Sequence, residues 1–166
     1  MVKIFLILLE NKMKISITTT MTDPESRKDP WREALKCYEE MADEVIITGQ
    51  NWKYDFKWNE IGEFFQEGLD KASGDWVIRM DLDYFFHEKD FLNLRKYLAK
   101  NFNQPAVAFP KCQFFTPDRY SVKSNIVIAC ILFKANSFRH ISYHRSIVTN
   151  GISVQGIGED HIEDGR

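Results

Sequence analysis

The stretch GDWVIRMDLDYFFH, residues 74 to 87, closes an apolar run on two carboxylates one residue apart, Asp81 and Asp83. Alternation along an extended segment sets both on one side and turns Leu82 the other way, into the core. Two carboxylates converging on one point repel each other and lose hydration, which raises a pKa or recruits a cation. Mg²⁺ or Mn²⁺ meets that demand. These hard ions take one or two carboxylates and complete their shells with water and substrate phosphates. Such an ion stabilises the charge that builds on a departing diphosphate. A DxD also arises as a solvated turn after a strand. Here the pair directly follows an unbroken apolar strand and precedes the aromatic YFF, which favours the metal and diphosphate reading.

Other residues near the pair have chemistry to offer. Arg79 stands two places before Asp81 and shares its side by alternation, so it is placed either to pair with the DxD or to reach a phosphate. His87 follows closely enough for metal ligation, but a lone histidine where a helix begins is more often a surface or capping residue. Trp52, Tyr54, Phe56 and Trp58 fall at period two in WKYDFKW. In an extended chain their rings share one face, either stacking a base or sugar or, the favoured reading, forming the buried side of an edge segment. His140, His144 and Arg145 form a local basic cluster, read as a solvated loop.

The elements that position these residues follow from hydrophobic period. MKISITTT, from Met13, is a β-branched run suited to the first strand. TDPESRKDP reads as a loop at its carboxyl end. Asp29 is then expected to cap a helix with Pro30 at its first position, its apolar face carrying Trp31, Ala34, Leu35, Tyr38, Met41 and Ala42. EVIIT, closed by Gly49, reads as a buried parallel strand. Asn59 to Ala72 is helical through Ile61, Phe64, Phe65 and Leu69. DWVIRM is the third strand, and Lys89 to Phe102 another amphipathic helix. PAVAFP and NIVIACILFKA read as strands, with QFFTPDRYSVKS as a loop between them. Alternating strands and helices predict an α/β fold, a three-layer α/β/α arrangement around a mainly parallel sheet. Ligands of such sheets bind outside the carboxyl ends of the strands, where the DLD falls.

Composition narrows the classes. The chain has 166 residues, 44% hydrophobic, 14% aromatic and 28% charged, with a formal net charge of -2. That is a globular profile with room for one domain. It offers no basic field for duplex nucleic acid, so no nucleic-acid partner is expected. Cys37, Cys112 and Cys130 have no CxxC spacing, which argues against a disulfide framework or a thiolate zinc site and for a reducing cytoplasm. The apolar run within MVKIFLILLE is too short for a transmembrane segment and lacks a cleavage site. Residues 1 to 12 read as an upstream extension and 13 to 166 as a single domain, expected to be incomplete at its charged, glycine-rich end.

ASGDWVIRMDLDYFFHEKDF resembles the centre of the GT-A glycosyltransferases, particularly the large inverting family 2, in which a GDW, an apolar strand and a DxD hold the nucleotide-sugar. KISITTTMTD is similar to that family's first strand and nucleotide-facing loop, and ADEVIITG to its second strand. The resemblance runs from about Met13 to Phe91. It implies a GT-A, Rossmann-like fold. It also implies a nucleotide-diphosphate sugar as donor and a glycan, lipid-linked or protein hydroxyl as acceptor. Asp83 would coordinate the metal, Asp81 would contact the ribose or share the ion, and Thr18, Thr19 and Thr20 would lie along the nucleotide. The chain departs from the family after its second strand, where Gly49, Gln50 and Asn51 replace an acidic reader of the base.

An inverting transfer needs a base to take the acceptor proton. The family supplies it from an acidic residue well downstream, often in an ED pair. GEDH, residues 158 to 161, offers Glu159 and Asp160 for that role, with His161 as a further metal ligand; the plain alternative is an acidic tail. Two other functions compete. A truncated domain would bind nucleotide-sugar without turnover. A sugar-phosphate nucleotidyltransferase would carry a glycine-rich basic loop after the first strand, and TTTMTDPES lacks one.

Overall fold

Strand β1, Ile15–Thr20, is composed of β-branched residues and one serine, and its whole length is buried. It can be buried because both of its edges are paired and both of its faces are covered. On one edge it pairs in parallel with β2, Glu44–Thr48, and on the other with β3, Trp76–Arg79. The computed structural model describes residues 13–50, 58–102, 106–131, 138–142, 145–148 and 152–155. The fold is α/β, with three adjacent parallel strands and helices packed against them.

Period two in the strands sorts residues between the faces. Ile15 and Ile17 of β1 join Trp76, Ile78 and Met80 in one core with Ala34, Tyr38 and Met41 of α2, Trp31–Met41, and with Leu94, Leu98 and Ala99 of α4, Phe91–Lys100. Ala34, Tyr38 and Met41 recur at four and three residues and Leu94 and Leu98 at four, with Ala99 beside them, so each helix turns a single stripe to the sheet. The opposite face receives α3, Trp58–Lys71. Gly68 of α3 lies so close over Thr18 that an added Cβ would come 3.1 Å from the threonine Cβ. Arg79 lies 4.4 Å from the centre of the Phe65 ring.

Several expectations are corrected. The sheet is mixed, with order β2-β1-β3-β5-β4, because β5, Arg119–Ile131, runs antiparallel to both β3 and β4, Ala106–Thr116. QFFTPDRYSVKS is not a loop but the outer half of this long hairpin, turning at Pro117 and Asp118. Cross-strand hydrogen bonds hold it, and its exposed residues carry no alternating apolar signal. β2 is half-buried rather than buried, since it ends the strand order. TDPESRKDP contains a short helix, α1, Pro24–Arg27. Asp29 does not cap α2: the N-cap is Pro30, without a side-chain bond, and Asp29 pairs with Arg27. A separate three-stranded antiparallel sheet comprises β6, Phe138–Ser142, β7, Arg145–Val148, and β8, Ile152–Gln155. His140 and Arg145 thus lie on strands, while His144 and residues 51–57 of the aromatic stretch fall outside the described residues.

At the end of the sheet where the parallel strands begin, carboxylates take over from the ladder. Asp75 accepts from Lys14 N at 2.8 Å and Asp43 from Ile15 N at 2.8 Å. Glu44 Oε2 accepts from Ser16 Oγ at 2.6 Å and from Ser73 N at 2.9 Å. Ser16 Oγ in turn accepts from Gly74 N at 2.8 Å. The chain passes so close here that a Cβ on Gly74 would meet Ser16 Oγ at 2.5 Å and Ser16 N at 2.7 Å. The GDW triplet therefore has a packing reason: glycine for close approach, aspartate to satisfy β1, and a fully buried tryptophan.

Two outcomes follow. Gly74→Ala will destabilise the fold by about 1–3 kcal/mol, because the atoms it meets belong to a fixed central strand; thermal unfolding reads this as a drop of roughly 2–4 °C per kcal/mol. Burial opposes ionisation of Glu44, but the hydrogen bonds from Ser16 and Ser73 outweigh it and lower its pKa. A lowered folded-state pKa gives stability that is full above the unfolded value and is lost as pH falls through the folded one. Glu44→Gln is thus expected to flatten the acid limb of the stability curve below about pH 4, measured by urea unfolding across pH.

Candidate functional site

The β1–β3 ladder makes its last bond from Met80 N to Thr18 O, at 2.9 Å, and the chain then turns at once. Tyr84 N donates to Asp81 O at 2.9 Å, closing a β-turn with Leu82 and Asp83 at its centre. The DLD is therefore a turn and not the extended segment that alternation assumes. Leu82 is buried as expected, at 1% exposure, and plugs the turn onto the core. Asp83 is exposed at the corner and Asp81 is partly buried at the ladder's end.

Helix α2 holds this turn from below. The Tyr38 hydroxyl reaches Asp81 O at 2.6 Å and Tyr84 O at 2.9 Å, sharing its one proton between the two carbonyls at the ends of the turn. One residue earlier, Cys37 Sγ donates to Phe86 O at 3.7 Å. Burial, with the nearby Asp81 carboxylate, pushes the Tyr38 pKa well above its ordinary value, so it stays a donor at any working pH. Burial likewise raises the Cys37 thiol. Neither residue stood out as a functional candidate in the sequence. The available signal was a tyrosine on an apolar helix face, since a buried phenol needs a hydrogen-bond partner.

Arg79 pairs with the DLD, its Nη1 lying 3.1 Å from Asp81 Oδ1. Its guanidinium is sandwiched between that carboxylate and the Phe65 ring, and its side chain is only 13% exposed. The contact takes one oxygen of Asp81, and a carboxylate offers two. Topology concentrates these groups. From β1 the chain crosses through α2 to β2 on one side, then returns through α3 to β3 on the other, so strand order reverses at β1. In open α/β sheets that reversal defines the ligand-binding end between neighbouring strands. The carboxyl ends of β1 and β3 flank it.

The threonines of β1 lie at different depths. Thr18 is buried beneath Gly68 of α3. Thr19 is buried with its hydroxyl unpartnered, and Thr20 ends the strand beside the turn. Beyond it, Met21 N donates to Thr48 O at 2.8 Å and Arg27 Nη1 to Thr22 Oγ1 at 3.1 Å. Asp23 and Lys28, on either side of α1, hold left-handed backbone at φ 42° and 58°. Gly49, after β2, takes φ 68°, a conformation glycine adopts without strain. His87 is a cap: its Nδ1 accepts from Lys89 N at 3.2 Å at the head of the 3-10 turn Glu88–Asp90. Thr20, Arg79, Asp81 and Asp83 share one end of the sheet. Glu159, Asp160 and His161 lie outside the described residues.

No family model matches the chain, and no curated protein matches it. Among the described residues, no helix is long and apolar enough to cross a membrane.

Removing one oxygen tests the support beneath the turn. Tyr38→Phe leaves the Asp81 and Tyr84 carbonyls without the shared proton, at a cost of about 1–3 kcal/mol. Urea denaturation will record the loss. Amide exchange at Tyr84 will accelerate beyond the global change, because the turn itself is loosened.

Proposed function

We propose that the chain is a metal-dependent glycosyltransferase of the GT-A type, moving a sugar from a nucleotide diphosphate to a hydroxyl acceptor with inversion. One observation carries the reading. Two carboxylates follow the strand at the switch point of an α/β sheet, on a turn that a buried tyrosine pins from the core. In the three-layer GT-A reading, α2 and α4 form one helical layer and α3 the other.

Asp81 and Asp83 are hard oxygen donors and fit Mn²⁺ or Mg²⁺, which draws its remaining ligands from diphosphate oxygens and water. When bound, the ion offsets the charge left on the diphosphate as the bond to the sugar breaks. Asp83, at the exposed corner, is assigned to the metal. Asp81, restrained by Arg79, shares the ion or meets the ribose. The Arg79 guanidinium adds positive charge where the phosphates would lie. Thr20, with Thr18 and Thr19 behind it, borders the nucleotide. Glu159 or Asp160 is assigned the acceptor proton. A glycan, lipid-linked or protein hydroxyl suits that step equally.

Calorimetry with nucleoside diphosphates, with and without Mn²⁺, tests the site. Binding is expected to require the ion, and Asp83→Ala to weaken it at least about tenfold, since losing even an outer-shell partner of a metal costs that much. Donor hydrolysis follows the same dependence. Metal-dependent binding without hydrolysis or transfer would instead assign the chain to a nucleotide-sugar binder without turnover, and metal-independent behaviour throughout would overturn both.

A further inference from the structure

Six large hydrophobic side chains stand exposed among the described residues, and Phe114, Phe115 and Tyr120 gather at the outer end of the β4–β5 hairpin. They are 65%, 65% and 61% exposed. The Phe114 and Tyr120 rings pack across the two strands with centroids 5.6 Å apart. The register slips between Phe114 and Thr116, leaving Phe115 as a bulge beside them. Solvent contact for three aromatic rings within so short a ribbon forgoes the gain of burying them.

The hairpin is also basic. Residues 111 to 123 carry Lys111, Arg119 and Lys123 against a single carboxylate, Asp118, in a chain whose net charge is -2. The register sets Lys111 opposite Lys123. Like charges at opposed positions are unfavourable in an isolated sheet, so sequence and register together set positive charge along this ribbon. The ribbon projects far from the sheet. Ala129 pairs with Ile78 of β3, and from there to Arg119 the strand advances roughly 30 Å at the usual rise per residue.

We propose that this hairpin tip docks on the anionic headgroups of a lipid bilayer, its three rings entering the interface while its lysines and arginine meet the phosphates. The proposal does not rest on the transferase reading. Rings that are apolar in body and, for tyrosine, polar at the tip suit a membrane–water interface. Basic residues beside them gain from a negative lipid surface. A second copy is a poorer occupant. β4 ends the strand order, but Pro110 falls at a register slip within it and breaks the run of backbone donors that edge pairing needs. A sugar is poorer too, since small ligands favour concave sites and this is the end of a two-stranded ribbon.

Flotation of the full chain with vesicles decides the matter. Binding is expected to vesicles of phosphatidylcholine mixed with phosphatidylglycerol, to be much weaker with phosphatidylcholine alone, and to fall as salt rises. Substituting Phe114→Ser, Phe115→Ser and Tyr120→Ser together should lower binding at least about tenfold, through lost apolar burial. Lys111→Gln with Lys123→Gln should remove most of the preference for anionic lipid. All five positions lie on the projecting ribbon, so an unchanged melting temperature will show that each variant folds. Failure of the unaltered chain to float with anionic vesicles would overturn the proposal, as would flotation insensitive to the ring substitutions. A dimer in solution that the ring substitutions dissociate would assign the surface to a second copy instead.

Discussion

Strand β1 has neither a free edge nor a free face, and most of the described structure answers to that constraint. A strand paired on both sides and covered on both faces tolerates no neighbour that is too large. Its two alternating rows differ accordingly. Ile15 and Ile17 meet the apolar core shared by α2 and α4, whereas Ser16 and Thr18 meet a face where glycine is required. Gly68 lets α3 settle over Thr18, and Gly74 lets the entry to β3 cross Ser16. Side-chain volume at either position would push an element away from the strand that organises the sheet.

Acidic residues occur at both ends of the parallel strands, and the contrast between the ends separates structural acids from candidate chemical ones. Where the strands begin, Asp43, Glu44 and Asp75 each accept from backbone N–H groups of neighbouring segments. Those carboxylates replace ladder partners, and their role is accounted for by the bonds they make. Where the strands end, the backbone of the DLD turn is satisfied by the Tyr38 hydroxyl and by the turn's own hydrogen bond. There Asp81 pairs with Arg79, and Asp83 stands exposed at the corner of the turn.

The sequence made the central elements legible because burial imposed a period on them. The first three strands and the helices between and after them were readable from β-branched runs and from apolar residues at helical spacing. Asp81, Asp83 and Arg79 were readable as neighbours because chain proximity alone guaranteed it. The inner parts of the hairpin strands, in PAVAFP and NIVIACILFKA, were readable too, but its outer part was not, since residues exposed to water there carry no apolar alternation. The DLD turn was not either: a hydrogen bond between Tyr84 and Asp81, and a tyrosine from a helix some forty residues upstream, decide its shape. Nor could local sequence foresee that Arg27 would claim Asp29 and deny α2 its expected cap.

The direction of β5 ties the remaining features together. A sheet made only of parallel strands would bring every later strand in from the end where β1, β2 and β3 begin. Because β5 is antiparallel to β3, it enters from the end where those strands finish. Any lengthening of the β4–β5 hairpin past its paired core must therefore project beyond the DLD turn and not away from it. The switch point and the aromatic, basic ribbon thus share one end of the molecule as a consequence of strand direction. Both proposed binding surfaces therefore fall at that end, while at the opposite end carboxylates are bound to the backbone.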